Sequence, residues 1–329
     1  MRVLVTGGAG FVGANLVRFL LAQPEVERLV NLDALTYAGH LESLEDVADP
    51  RYVFEHVDLR ERERVLEVLG AHAVSHVMHL AAESHVDRSI AAPADFIHTN
   101  VVGTFHLLEA ARATGVERLL HVSTDEVYGS LGSDGRFSES TPYAPNSPYS
   151  ASKAAADLLA RAYHHTYGLP VLVSNCSNNY GPYQHPEKLF PTVILAALGE
   201  APIPVYGDGQ NVRDWLHVED HCRALWAVLR RGRVGETYAV GAENERVNLE
   251  LVGLLCDAVD AHLGRRPGRS RELVTFVPDR LGHDRRYAID PEKLRSELGW
   301  RPERAFDAGI RATVAWYADH ATWVERVRR

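Results

Sequence analysis

The sequence predicts an α/β protein with a doubly wound parallel sheet and a smaller C-terminal lobe. Short apolar runs rich in β-branched residues alternate with longer helical patterns in the first half, and a glycine-rich turn joins the first run to the first helix. This alternation stops after about residue 175. Repeated βαβ units with right-handed crossovers place helices on both faces of a parallel sheet. A chain of 329 residues also has room for a second lobe.

The first half contains the elements of the predicted sheet. Its strands are the apolar runs 3–6, 29–32, 77–81 and 119–123, and a further strand lies in LPVLVSN after Gly168. Helical patterns cover 11–22, 60–69 and 97–114, and another helix begins near Tyr149. This order of elements is typical of a nucleotide-binding domain, which we place at residues 1–175.

The second half has a different composition. The stretch SNNYGPYQHPEK is rich in Gly, Asn and Pro, which predicts loops. Two helices are predicted at 218–231 and 248–263, followed by a basic tail, and a strand pattern at 236–240 can return to the main sheet. We therefore predict a substrate-binding lobe over 176–329, with segments near 214–241 returning to the first domain.

Charge and cysteine content restrict the function class. A net charge of −9 gives no general attraction to nucleic acid or to an anionic membrane. An anionic substrate would need local cations, for which the candidates are Lys188, Arg213, Arg280, Arg285 and Arg286. Three cysteines without CxxC spacing, Cys176, Cys222 and Cys256, fit structural roles in a reducing compartment. The chain starts without a leader pattern and shows no transmembrane run, so we expect a cytoplasmic protein.

The first strand is followed by GGAGFVG, in which Gly7, Gly10 and Gly13 mark a strand-to-helix turn. Gly8, Gly10 and Gly13 also satisfy GxGxxG. Such glycines let backbone N–H groups approach a pyrophosphate at the N-terminus of a helix. Asp33 ends the second strand, where a carboxylate accepts from ribose hydroxyls and repels a 2′-phosphate. The sequence thus predicts a Rossmann-type fold that binds NAD rather than NADP.

Tyr149 and Lys153 form a YxxxK pair on one face of a helix. A neighbouring ammonium favours the phenolate, so we expect Tyr149 to act as a base that takes a hydroxyl proton as hydride leaves. Lys153 can also hold the nicotinamide ribose. The alternative, a tyrosine and a lysine that are merely neighbours on the helix surface, is disfavoured by the nucleotide motif that precedes the pair.

Thr124, Asp125 and Glu126 follow the strand LLHVS, at the sheet edge where open α/β sheets place ligands. Two adjacent carboxyl groups in opposite protonation states supply the acid and the base of an elimination. Oxidation of a hexose at carbon 4 makes the proton at carbon 5 acidic, water then leaves from carbons 5 and 6, and hydride returns to carbon 6. The residues therefore fit a redox-neutral dehydration.

Motifs along nearly the whole chain resemble those of the dTDP-glucose 4,6-dehydratases, which belong to the extended short-chain dehydrogenase/reductase family. They are TGGAGFVG, LTYAGHLESL, AAESHVDRSI, STDEVYG, SPYSASKA, NCSNNYGPYQHPEKL, NVRDWLHVEDHCRAL and GHDRRYAID. The resemblance implies a lyase of deoxysugar biosynthesis that is NAD-dependent and acts on a nucleoside-diphosphate hexose. It also implies a homodimer formed through a four-helix bundle, here by segments 97–114 and 150–167.

The resemblance assigns roles to individual residues. Asp125 is implied to be the acid, Glu126 the base and Tyr149 the residue that deprotonates the 4-hydroxyl, with Thr124 and Lys153 assisting. The implied cofactor residues are Gly7, Gly10, Phe11, Val12, Gly13, Asp33, Asp58, Leu59, Ala81, Thr99, Tyr149, Lys153 and Asn179. The implied substrate residues are Ser84, Thr124, Asn178, Lys188, Leu189, Pro204, Tyr206, Arg213, Asn248 and the stretch from Asp279 to His283. The family's DRPGH is DRLGH here, so Leu281 can loosen a substrate loop.

Three other interpretations stay open. The dehydratase can prefer another nucleotide sugar such as UDP-glucose, since the residues do not decide the base. A sugar-nucleotide 4-epimerase shares the NAD site and YxxxK but needs no acid and base for elimination. A binding protein that has lost its chemistry should lack Tyr149, Lys153 or the carboxyl pair. We expect no metal site at His76, His79 and His85, which lack ligand spacing.

Overall fold

The computed structural model describes residues 1–279 and 281–328. Its strands are β1 (Arg2–Thr6), β2 (Arg28–Asp33), β3 (Tyr52–His56), β4 (His76–His79), β5 (Arg118–Thr124), β6 (Val171–Cys176), β7 (Asn178–Tyr180), β8 (Ile203–Tyr206), β9 (Val212–His217), β10 (Thr237–Val240), β11 (Glu245–Val247) and β12 (Val274–Val277). Its helices are α1 (Phe11–Leu21), α2 (Arg62–Ala71), α3 (Val86–Ala91), α4 (Pro93–Phe96), α5 (Thr104–Thr114), α6 (Pro148–Tyr167), α7 (Leu189–Leu198), α8 (Val218–Arg231), α9 (Asn248–His262), α10 (Glu292–Leu298), α11 (Phe306–Asp319) and α12 (Ala321–Val327).

Within these residues, seven strands form a parallel sheet in the order β10-β6-β5-β4-β1-β2-β3. Strand β1 pairs with β2 on one side and with β4 on the other, so the strand order reverses there. In such sheets the ligand crevice lies outside the carboxyl ends of the strands at the point of reversal. The predicted fold class is therefore confirmed.

Apolar cores cover both faces of this sheet, because its strands are apolar on both sides. Leu16 and Leu20 of α1 pack with Leu225 of α8 on one face. On the other face, Val65 of α2 and Leu107 of α5 lie in the core that α6 completes. The sheet is thereby held rigidly, which fixes the positions of the residues at its carboxyl edge.

The smaller lobe is built from short strands and from helices close to the C-terminus. Strand β9 pairs with β7 and β11, and β8 pairs with β12. Helices α7, α9 and α11 share a core that contains Ile194, Leu255 and Val314. The predicted basic tail contains the helices α10, α11 and α12, because apolar positions recur at helical spacing between the charged ones in those segments.

Several predicted boundaries differ from the structure. The strand pattern at 236–240 does join the main sheet, since β10 pairs in parallel with β6. The predicted helix 97–114 begins with a π-helical segment, Ile97–Gly103, before α5. Strand β3, YVFEH, was not predicted because this edge strand is only half-buried and shows no clear alternation. In the part of the chain that the structure describes, we find no helix of the length and apolarity that a membrane crossing requires.

Candidate active site

A cavity of about 530 Å³ opens at the carboxyl edge of the sheet and extends into the smaller lobe. Most site residues predicted from the sequence line it, whereas Asp279, Leu281 and Gly282 are not on its wall. The predicted catalytic residues on its wall are Thr124, Asp125, Glu126, Tyr149 and Lys153. The predicted cofactor residues there are Gly7, Gly10, Phe11, Val12, Gly13, Asp33, Asp58, Leu59, Ala81, Thr99 and Asn179. The predicted substrate residues there are Ser84, Asn178, Lys188, Leu189, Pro204, Tyr206, Arg213, Asn248 and His283.

The glycine-rich turn leaves the N-terminus of α1 open to this cavity. Gly7 has φ of +73°, and a Cβ atom there would lie 2.7 Å from the backbone nitrogen of Ala81. Gly10 precedes α1 without a side-chain cap, and its nearest neighbour would lie 3.4 Å from an added Cβ. The uncapped N–H groups of α1 face the cavity that Gly10 lines, as a dinucleotide pyrophosphate requires.

Asp33 is fixed by the backbone at the end of β2. Its Oδ2 accepts from the N–H of Ala9 and its Oδ1 from the N–H of Leu35, each at 2.8 Å. Burial raises the pKa of Asp33 above its ordinary value, although both hydrogen bonds oppose this shift. Each oxygen retains a second lone pair for a ribose hydroxyl. Nearby, Asp58 accepts from Nε of Arg60 at 2.9 Å.

The residues at the end of β5 bring two carboxyl groups together. Thr124 is the last residue of the strand, and its Oγ1 accepts from the N–H of Glu126 at 3.2 Å. The same hydroxyl lies 3.4 Å from Oδ1 of Asp125, whose carboxyl group is only 1% exposed. Burial, and then the charge of Glu126, raises the pKa of Asp125 well above its usual range. The low-dielectric surroundings therefore favour the protonated form of Asp125.

The YxxxK pair lies on α6, which begins with a capping box between Ser147 and Ser150. Burial, and then the charge of Glu126, raises the pKa of Tyr149 well above its ordinary value. Lys153 donates through Nζ to the carbonyl oxygen of Val122 at 2.9 Å. Burial is the largest effect on the pKa of Tyr149, and the ammonium of Lys153 is directed at β5, so the expectation that Lys153 lowers the pKa of Tyr149 stays a prediction.

Cys176 also lines the cavity, although we expected it to be structural. Its Sγ lies 3.4 Å from the carbonyl oxygen of Ser123, to which it donates, and accepts from Nδ2 of Asn179 at 3.6 Å. Burial raises its pKa to about 12, so it stays a thiol. The rule that places ligands at the carboxyl ends of strands identifies this position too, because Cys176 ends β6 just as Thr124 ends β5.

Cations stand on the wall formed by the smaller lobe. Arg213, on β9, is buried, and its guanidinium lies 4.1 Å from the ring centroid of Tyr287. Nη2 of Arg213 donates to the carbonyl oxygen of Asp284 at 2.8 Å. Lys188 donates to the carbonyl oxygen of Ser84 at 3.3 Å. These two cations are held in the cavity wall, where an anionic group of a ligand can reach them.

The stretch from Asp279 to His283 is only partly on the cavity wall. His283 lines the cavity, whereas Asp279 does not. Oδ1 of Asp279 lies 2.6 Å from Nδ1 of His283. Its carboxylate is directed at the imidazole of His283, and direct contact of Asp279 with the substrate stays a prediction. Arg280 lies outside the described residues.

The remaining candidate residues take part in contacts of their own. Arg285 pairs with Asp208 at 2.9 Å, and Arg286 pairs with Glu245 at 2.7 Å. His79 is buried at the end of β4 with Thr6 Oγ1 2.7 Å from its Nδ1. Among residues 1–279 and 281–328, no three His, Cys, Asp or Glu side chains are grouped as metal ligands.

The sequence of this chain is similar to known proteins over nearly its whole length. The family model for GDP-mannose 4,6 dehydratase matches residues 4–313. A dTDP-glucose 4,6-dehydratase of Xanthomonas campestris pv. campestris is 57% identical over 98% of this chain and 95% of its own length. The chain belongs to the dTDP-glucose 4,6-dehydratase family.

Solved structures support this assignment and define the fold of the family. DesIV, the dTDP-glucose 4,6-dehydratase of Streptomyces venezuelae solved with NAD bound, superposes with a TM-score of 0.94. It is 49% identical, and the match covers 99% of this chain and all of DesIV. The UDP-glucose 4-epimerase of Thermus thermophilus, also solved with NAD, has a TM-score of 0.87 and is 34% identical over 97% of this chain and all of its own. Fold alone therefore does not separate dehydratase from epimerase.

Proposed function

We propose that this chain is an NAD-dependent dehydratase that converts dTDP-glucose into dTDP-4-keto-6-deoxyglucose. The observation that carries the proposal is the carboxyl pair at the end of β5. Asp125 is buried with a raised pKa, and Glu126 follows it directly on the cavity wall. An acid and a base side by side are what an elimination across carbons 5 and 6 requires.

The cavity fits NAD at its sheet edge. The uncapped N-terminus of α1 suits the pyrophosphate, and Asp33 suits the adenosine ribose. Asp58, Leu59, Ala81, Thr99 and Asn179 complete the proposed cofactor wall. When bound, NAD would accept hydride from carbon 4 and return it to carbon 6, so the reaction consumes no cofactor.

Oxidation requires a group that takes the proton of the 4-hydroxyl. We assign this to Tyr149, which a hydrogen bond with Thr124 orients. Burial raises the pKa of this phenol, so bound substrate and cofactor must lower that pKa for Tyr149 to take the proton. The ammonium of Lys153, one helical turn further along α6, is the cation placed to help.

Elimination then uses the two carboxyl groups in different roles. Glu126 removes the proton from carbon 5, which is acidic once carbon 4 is a ketone. Asp125 delivers its proton to the hydroxyl that leaves carbon 6 as water. General acid and base catalysis of this kind contributes roughly 10²–10⁴-fold to a rate.

The lobe supplies the proposed contacts to the nucleotide. Arg213 and Lys188 suit the diphosphate, and the ring of Tyr206, which is 44% exposed, can stack on the base. Ser84 and Asn178 line the cavity close to the proposed hexose position. These polar contacts do not select thymine over uracil, so UDP-glucose is the alternative substrate to be tested.

The experiment is incubation of the purified protein with dTDP-glucose, without added NAD, followed by mass spectrometry. We expect loss of one water by the wild type and none by Glu126→Gln, with Glu63→Gln on the exposed first turn of α2 as control. If only UDP-glucose loses water, the base assignment fails. If no sugar dehydrates but the 4-epimer forms, the carboxyl roles are wrong and the chain is an epimerase.

We also propose a homodimer in the cytoplasm. The segments expected to pair carry exposed apolar side chains, among them Ile97, Leu158 and Tyr167. Leu158→Arg should then convert a dimer to a monomer in light scattering.

The three cysteines are unpaired, which suits a reducing compartment. Cell fractionation tests the location.

A further inference from the structure

Helix α6 carries a buried carboxylate, Asp157, one turn beyond Lys153 and on the same helical face. No step of the reaction described above uses it. We propose that Asp157 is a positioning residue that holds Lys153 as an ammonium and ties it to the catalytic turn Asp125–Tyr128. The proposal rests on the function proposed above, because it concerns the groups that perform it.

One oxygen of this carboxylate is held by a histidine of the central sheet. Oδ1 of Asp157 lies 3.0 Å from Nε2 of His121, on β5, and both side chains are completely buried. Burial, followed by the charge of Lys153, lowers the pKa of His121, so its ring is neutral and donates through Nε2. Burial would raise the pKa of Asp157, but the His121 hydrogen bond and the positive charge of Lys153 bring it below its ordinary value. Asp157 therefore remains ionised.

The other oxygen connects α6 to both ends of the catalytic turn. Oδ2 of Asp157 accepts from the hydroxyl of Tyr143 at 2.8 Å and from Nδ2 of Asn175 at 3.0 Å. The same Nδ2 donates to the carbonyl oxygen of Thr124 at 3.2 Å. Oδ1 of Asn175 accepts from the hydroxyl of Tyr128, also at 3.2 Å. Thr124 precedes the turn and Tyr128 ends it, so the turn is anchored at both sides.

Lys153 needs a negative charge close by, because it is buried. Burial lowers its pKa, and the charge of Asp157 is the largest opposing effect. Its one described hydrogen bond, to the carbonyl of Val122, offers only a dipole. In a low-dielectric interior an uncompensated ammonium releases its proton.

The other titratable groups around Lys153 are neutral at physiological pH. Burial lowers the pKa of the histidines and raises the pKa of the thiol and of the phenol. These groups are His79 on β4, His121 on β5, Cys176 on β6 and Tyr149 on α6. Asp157 is therefore the charge that keeps Lys153 protonated. Its loss lowers the pKa of Lys153 and also removes the hydrogen bonds that anchor the turn.

The direct test is the titration of Lys153 itself. The chain has three lysines, Lys153, Lys188 and Lys293, so ¹³C-lysine labelling gives three resolvable side-chain signals. Lys153→Met assigns the signal. We expect the pKa of Lys153 to fall by at least about one unit in Asp157→Asn. Asp157→Ser removes the same charge with less crowding and serves if the Asn variant does not fold.

The matched control is Asp260, a buried aspartate of α9 in the other lobe. It accepts from the hydroxyl of Ser270 at 2.6 Å and from its N–H at 3.1 Å. Asp260→Asn should lower stability but leave the titration of Lys153 unchanged. The proposal is overturned if Lys153 titrates alike in Asp157→Asn and in the wild type, since a purely structural carboxylate would give that result.

Kinetics with dTDP-glucose give the second readout. In Asp157→Asn we expect kcat to fall with little change in KM, and the alkaline limb of the kcat profile to move to lower pH with Lys153. Asp157→Glu, which restores the charge, should recover part of both. An unchanged limb contradicts the proposal. If the wild type dehydrates no nucleotide sugar, the proposed function fails, whereas the Lys153 titration still decides the role of Asp157.

Discussion

A Cβ atom on Gly13 would lie 2.0 Å from the carbonyl oxygen of Gly7. The turn between β1 and α1 is too tight here to admit a side chain. A change of rotamer cannot make room for one, because the opposing atom belongs to the backbone. At Gly10 the corresponding distance to the same oxygen is 3.4 Å, which is ordinary contact. The two glycines therefore serve different purposes, packing at Gly13 and access to the cavity at Gly10.

Gly13→Ala should lower the free energy of unfolding by about 1–3 kcal/mol or more, because the turn must open to admit the methyl group. Gly10→Ala should leave thermal stability almost unchanged and weaken NAD binding, since its methyl group projects where the pyrophosphate approaches. Thermal unfolding and calorimetric titration with NAD separate the two effects. Equal losses of stability in both variants would contradict this division.

Asp125→Asn should stabilise the protein while it abolishes dehydration. The pKa of Asp125 is raised from 3.8, so the native state binds a proton that the unfolded state releases. The stability contributed by this carboxyl is present below pH 3.8 and is lost as the pH rises through the raised pKa. Asn does not ionise, so burying it carries no penalty that rises with pH. The melting temperature of Asp125→Asn should therefore exceed that of the wild type by an amount that grows with pH. A difference that stays constant between about pH 5 and 9 would show that Asp125 titrates normally.

Tyr149→Phe tests the oxidation separately from the elimination. Its loss should lower the rate of hydride transfer from dTDP-glucose by roughly 10²–10⁴-fold. Bound NADH absorbs at longer wavelength than NAD, so rapid-mixing absorbance measures this step directly. Glu126→Gln should retain the absorbance change, because it still oxidises the sugar, but it should not eliminate water. If Tyr149→Phe oxidises the sugar at the wild-type rate, another group takes the 4-hydroxyl proton.

The sequence predicted the sheet and the strand ends that line the cavity, because both depend on local patterns. Apolar runs mark the buried strands, and parallel strands bring their carboxyl ends to one edge. Asp33, Thr124 and Cys176 each end a strand, so their meeting at the cavity follows from the order of strands alone. The helices of the tail were missed because charged residues dominate their exposed faces.

Other features depend on packing that spacing does not reveal. Burial is the largest effect on the pKa of Tyr149, and the YxxxK spacing does not indicate how deeply the tyrosine is buried. Asp279 contacts His283 on the cavity wall through a hydrogen bond that no motif indicates. The link between His121 and Asp157 joins β5 to α6 across 36 positions of sequence, and only the packing of the helix on the sheet creates it.

The three thiols should be unreactive in the native protein. Burial raises the pKa of Cys176 and of Cys256 to about 12 and raises that of Cys222 further. The thiolate is the nucleophile, so at pH 8 only about 10⁻⁴ of each buried group is in the reactive form. We expect almost no reaction with a disulfide reagent under native conditions and three equivalents after unfolding. Fast modification of one native thiol, mapped to Cys176 by peptide mass, would mean that the cavity ionises it and that this cysteine takes part in the chemistry.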